Sequence, residues 1–181
     1  MRGGFTVLGG VIAVASCLVL WPIWEPDQVR QELRRTLKAH AAFAESVLGA
    51  VAGPDREAAI LASTRSTGLA LNDLEAALSR ALQQPRAGHH PEVESALVAD
   101  ATLRRISARL TVLRHAPEAV DPEAEAWRAW IVATLTALGE DRPLPERPAL
   151  DRGQSLVRLV SQVDLLVGTL RPSEVRGGAP V

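Results

Sequence analysis

The chain has 181 residues, room for one domain of moderate size. Apolar residues make up 47% and charged residues 23%, a folded-protein balance that excludes a disordered tail, a collagen and an acidic solvating segment. With 20 Lys and Arg against 21 Asp and Glu there is no basic excess for nucleic acid, and a lone cysteine, Cys17, excludes an internal disulfide or an all-cysteine zinc site.

The first predicted element is a membrane span. Gly3 to Trp24 carries no charge, and 22 residues at 1.5 Å rise reach roughly 33 Å, enough to cross the hydrocarbon core. Trp21 and Trp24 stand at its C-terminal end, where indole rings favour the membrane interface. Gly3, Gly4, Gly9 and Gly10 leave a smooth surface for another membrane helix. Two alternatives compete with a retained span. A cleaved secretory signal would explain Arg2 and the apolar run, but the run exceeds the usual signal core of about 7–15 residues and lacks a clean Ala-x-Ala site. Val14-Ala15-Ser16-Cys17 resembles a lipobox with Cys17 as the lipidated residue, although Leu18 to Trp21 continue the apolar run beyond it. The retained span is the preferred reading. Arg30, Arg34, Arg35 and Lys38 follow within about 15 residues, against Arg2 on the other side, so the positive-inside rule places the C-terminal part in the cytoplasm.

Residues 25–170 are expected to form an antiparallel all-α bundle of about five helices, because the chain runs on Ala, Leu, Arg and Glu with only 3% aromatics. The first helix starts near Pro26-Asp27 and repeats Val29, Leu33, Leu37, Ala41, Ala44, Val47, Leu48 and Val51 to about Ala52. A second, about 55–83, has the stripe Ile60, Ser63, Thr67, Leu71, Leu74, Leu78 and Leu82, with a polar first half of low helix propensity, Ser63 to Gly68. Gln84 to Pro91 reads as a loop. The third, about 92–115, uses Val93, Leu97, Leu103, Ile106, Leu110 and Leu113. Asp121-Pro122 opens a fourth, with Trp127, Trp130, Ile131, Leu135 and Leu138, ending near Gly139. Arg142 to Pro148 is too rich in proline for a helix. The fifth, about 150–170, repeats Leu156, Leu159, Val160, Val163, Leu166, Val167 and Leu170, and 171–181 reads as a disordered tail.

No catalytic signature appears: there is no Walker loop, GxSxG or HExxH, and the glycine pairs do not join a strand to a helix. His89-His90, with Glu92 and Glu94 nearby, suggests metal, but a solvated loop is favoured over a site short of ligands. His40 and His115 read as surface or boundary residues. Trp127 and Trp130 share a helix face and read as core rather than a stacking platform. Asp121, Glu123 and Glu125 suit a helix start, and Arg104, Arg105, Arg109 and Arg114 suit a solvated face better than an acidic partner or a membrane surface. No cofactor is expected, and an enzyme is the weakest class, since inward Glu and His at fixed spacing are absent.

Arg2-x-x-x-Thr6-x-x-Gly9, the apolar run, Leu20-Trp21-Pro22, Trp24-Glu25 and then Leu33-Arg34-Arg35-Thr36-Leu37 together resemble the last membrane helix and cytoplasmic entry of the fusaric acid resistance-like (FUSC) family. Asn72 to Leu78 leading to Gln84-Pro85, and the Leu103-Arg104-Arg105-Ile106 helix, are similar to that family's cytoplasmic helical region, so the likeness covers roughly residues 2–115. The resemblance implies a bacterial inner-membrane protein related to aromatic acid efflux pumps. Those proteins carry several more spans, and one span encloses no pathway. The resemblance therefore implies the C-terminal part or an accessory subunit of a transporter, partnered by lipid and by other membrane helices or its own copies. A small aromatic acid would be met only through the larger assembly. The alternative function is a lipid-anchored periplasmic module that binds a partner protein.

Overall fold

The computed structural model describes residues 25–49, 54–83, 90–115, 122–149 and 153–172. The apolar segment 3–24, with Cys17, Trp21 and Trp24, lies outside them. Among the described residues the chain is all-helical: α1 Glu25–Leu48, α2 Pro54–Leu82, α3 Pro91–Arg114, α4 Pro122–Glu140 and α5 Gly153–Leu170. Pro54, Pro91 and Pro122 each occupy a first helical position, where the missing N–H breaks no bond and the ring presets φ.

The apolar stripes dictate the packing. Val29, Leu33, Leu37, Ala41, Ala44, Val47 and Leu48 of α1 are all buried, as are Leu156, Leu159, Val160, Val163, Leu166 and Val167 of α5. Each large aliphatic side chain buried in this way stabilises the fold by about 1.5–3 kcal/mol. Two expected core residues are exposed instead, Leu82 at the end of α2 and Leu97 of α3. Their places are taken by small neighbours, Ala81 beside Leu82 and Ala96 and Ala99 beside Leu97, which let the helices approach closely.

Cross-helix contacts set the direction of each helix. Thr36 Oγ1 donates to the Ala70 carbonyl at 3.0 Å and Thr67 Oγ1 to the Ala39 carbonyl at 3.1 Å, while Ser46 and Ser63 hydroxyls meet at 2.8 Å. α1 and α2 are therefore antiparallel, and two residues in the polar half of α2 face α1: Thr67 bonds its backbone and Ser63 the Ser46 hydroxyl. Glu75 pairs with Arg104, and Glu57 with Arg114, so α2 and α3 are antiparallel too. Arg30 pairs with Glu92, whereas His40 meets Leu103 and Ser107, so α1 and α3 run in the same direction.

The last two helices are also parallel. Arg147 lies over Trp127 and Trp130 and bonds Asp164 at 2.8 Å, whereas Arg171 pairs with Asp141. Moving from the first group to the second advances along both α4 and α5. The stretch 142–149 therefore returns along α4; at about 3.1 Å per residue for proline-rich chain it covers roughly 25 Å, close to the roughly 28 Å of α4.

Helix α1 touches α2, α3 and α4, while α5 touches α3 and α4. The ring α1–α3–α5–α4 is thus a four-helix bundle of two parallel pairs, with α2 laid against α1 and α3. The expected all-α bundle stands, but uniform antiparallel packing gives way to two return connections, one helical (α2) and one extended (142–149). At Gly139 α4 comes so close to α1 that an added Cβ would meet Lys38 Cγ at 3.0 Å and the Lys38 nitrogen at 3.2 Å.

Candidate functional site

One end of the ring gathers the start of α1, the start of α3 and the ends of α4 and α5. There the helices enclose a cleft of about 470 Å³, within the size range of small-molecule pockets. Its walls are aliphatic: Val29, Leu33 and Leu37 of α1, Val93 and Ala96 of α3, Leu138 of α4 and Leu170 of α5. Its rim holds Arg30, Arg34 and Arg171 against Glu92 and Asp141.

Asp141 organises this rim. It follows the last turn of α4 with φ 57°, and the Arg142 N–H donates to the Ala137 carbonyl at 2.9 Å, the 6→1 bond of a Schellman ending. Glycine usually fills this left-handed position; here an aspartate accepts the backbone cost. Its carboxylate takes Arg34 of α1 at 2.9 Å through one oxygen and Arg171, just beyond α5, through the other. Three elements are fastened at one point. Arg30 pairs with Glu92 across α1 and α3 and stands 3.9 Å from Asp27. The Arg30 and Arg34 pairs are about half exposed, so each contributes about 0–1 kcal/mol.

Arg171 was expected in a disordered tail. Instead its N–H donates to the Val167 carbonyl at 2.7 Å, prolonging α5 by one bond. Residues 173–181 lie outside the described residues.

His40 departs furthest from expectation. It is fully buried between α1 and α3, not at a boundary. Its Nδ1 lies 2.7 Å from the Thr36 carbonyl, and its Nε2 lies 3.1 Å from the Leu103 carbonyl and 2.9 Å from Ser107 Oγ. Burial holds the imidazolium below its ordinary pKa, against the pull of the two carbonyls and of Asp100. A neutral ring protonated at Nδ1 satisfies this geometry: Nδ1–H donates to Thr36, Nε2 accepts from the Ser107 hydroxyl, and the Leu103 carbonyl keeps its own helical bond.

The remaining sequence candidates separate. Trp127 and Trp130 are buried and meet edge to face at 5.5 Å. His90 is exposed and precedes α3 with extended backbone, making no side-chain cap bond; His115 is exposed too. Among the described residues no three His, Cys, Asp or Glu gather as a metal site. Arg104 bonds Asp100 at 3.0 Å and Glu75 at 2.7 Å, so it fastens α3 to α2 and is no free basic patch. Sequence reasoning noted Arg30 and Arg34 only as flanking charge and missed Asp141 and Arg171; a non-glycine residue closing a helix just before proline was the available signal for Asp141. No protein-family model, curated protein or solved structure matches the chain.

Proposed function

We infer that the chain is a membrane-anchored helical module, tethered by residues 3–24, with its bundle on the cytoplasmic side of a bacterial inner membrane. The uncharged 22-residue run carries this reading. In sequence it is followed directly by α1, which begins at Glu25 beside the open end of the ring. No helix among the described residues is long and apolar enough to cross a membrane, so anchorage rests on this segment. In keeping with the FUSC resemblance over residues 2–115, the module serves as a C-terminal part or accessory subunit of an aromatic acid or drug efflux assembly. The span packs on other membrane helices, and the bundle mediates assembly or gating.

Alkaline washing of membranes is the first test: the protein stays in the pellet, and its release would end the reading. Protease added to intact spheroplasts leaves the bundle whole, while added to inside-out vesicles it digests the bundle. The lipobox-like Val14 to Cys17 supports the alternative, a periplasmic lipoprotein; that protein would be digested in spheroplasts and would carry diacylglycerol on Cys17 with residues 1–16 removed. Deletion of the gene is expected to raise sensitivity to aromatic carboxylic acids, and unchanged sensitivity would remove the efflux part of the proposal.

A further inference from the structure

Helix α2 lies against α1 and α3 outside the ring, and among the described residues no helix covers its outer side. Along that side Ala58, Ala62, Arg65, Leu69, Asp73 and Ala76 recur at steps of three and four, and all six are exposed. Leu69, at the centre, is 60% exposed. The charges of the helix divide by side. Glu57 and Glu75, which face α3, are paired with Arg114 and Arg104. On the outer side Arg65, Asp73 and Arg80 have no ion pair or side-chain hydrogen bond among the described residues.

These residues are placed symmetrically about Leu69. An arginine stands four positions before it and an aspartate four after, with an alanine seven positions away on either side. A second α2 laid antiparallel, Leu69 on Leu69, therefore sets Arg65 against Asp73 twice and Ala62 against Ala76 twice. Arg80 comes opposite Ala58 of the second copy, one helical turn from that copy's Asp55. Laid parallel and in register, the same helices would oppose Arg65, Asp73 and Arg80 each to its own kind, and like charges repel. The alanines let the two axes approach to about 8 Å, the close end of helix packing.

We propose that two copies of the chain pair through their α2 helices, antiparallel, about a two-fold axis at Leu69. The contact belongs to the bundle and does not rest on membrane anchorage. Where both copies are anchored in one bilayer, the axis stands along the membrane normal, so both α2 helices lie in the plane of the membrane.

Disulfide cross-linking of the full chain tests this, in detergent micelles or in buffer should it leave the membrane, with Cys17→Ser removing the native thiol. Under mild oxidation Leu69→Cys is expected to give a covalent dimer at least tenfold faster than Ala133→Cys, on the exposed side of α4. Arg65→Cys and Asp73→Cys chains are expected to cross-link when mixed, and at least tenfold less when each is oxidised alone. Arg65→Asp or Asp73→Arg, added singly to Leu69→Cys, is expected to slow cross-linking at least fivefold, and both together to restore it. All these positions are exposed, so the variants keep the fold, which thermal unfolding checks. Equal rates for Leu69→Cys and Ala133→Cys, self-linking of Arg65→Cys as fast as the mixture, or no recovery in the double swap would each overturn the proposal. Release from the membrane on alkaline washing would instead overturn the anchorage and leave the cross-linking in place.

Discussion

The surroundings of His40 and the helices α4 and α5 meet buried polarity differently, although Asp100 Oδ1 on α3 also lacks a hydrogen-bond partner. Between α1 and α3, His40 sits fully buried with both ring nitrogens engaged by groups from the two helices. In α4 and α5, Trp130 Nε1, Thr134 Oγ1 and Gln162 Oε1 are buried without a hydrogen-bond partner in the protein. That side is fastened from outside, by Arg147 over the two indoles at 5.5 and 5.8 Å and bonded to Asp164. A polar side chain in a parallel seam costs little when carbonyls and hydroxyls of both helices meet it. Where none does, each unpaired group costs about 1–3 kcal/mol, and apolar area must carry the seam.

The largest break of this contrast is Trp127→Ala. Trp127 is 1% exposed, and its removal is expected to cost about 3–5 kcal/mol in chemical denaturation. His40→Ala comes next, at about 2–4 kcal/mol, because it leaves a cavity and frees the Ser107 hydroxyl. His40→Leu, which refills the volume, is expected to cost only about 1 kcal/mol; equal losses in the two variants would deny the hydrogen bonds any separate role. Arg147→Ala loosens the other seam by about 1–2 kcal/mol, through two ring contacts and one partly exposed ion pair. Thr134→Val is expected to stabilise by about 0.5–1 kcal/mol, since it removes an unpaired buried hydroxyl at constant shape.

Titration gives a finer measure of the His40 seam. The folded pKa lies below the unfolded value of about 6.5, so the unfolded chain binds a proton first. The contribution of His40 is complete above pH 6.5 and is lost as pH falls from there towards the folded pKa. Between pH 7 and 5.5 the melting temperature should therefore drop in the wild type and drop less in His40→Leu. A drop of the same size in both would assign the effect to other groups.

Much of this arrangement was legible in the sequence. The stripes of α1 and α5 repeat at three and four with large aliphatic residues, and those residues are the core. Leu82 and Leu97 misled because size was taken for burial: beside each of them the buried positions belong to alanines, which carry little periodic signal. His40 and Thr36 were hidden for a related reason. A polar residue inside an apolar stripe declares its partners only when the Ser107 hydroxyl of α3 and the Ala70 carbonyl of α2 are in place. The cleft was illegible altogether, since its lining comes from four helix ends separated by up to about 140 residues and its organiser is one backbone angle at Asp141. Helix direction escaped as well: short connections suggest reversal, and nothing local in 142–149 says that this stretch travels the length of α4.

The union of Arg34 with Asp141 joins positions 107 residues apart. A ribosome adding about 5–20 residues each second needs roughly 5–20 s to deliver the second after the first. For that interval the nascent first three helices can close on one another, while the flank of α1 destined for α4 has no neighbour and shows its leucines to whatever chaperone or lipid surface is nearest.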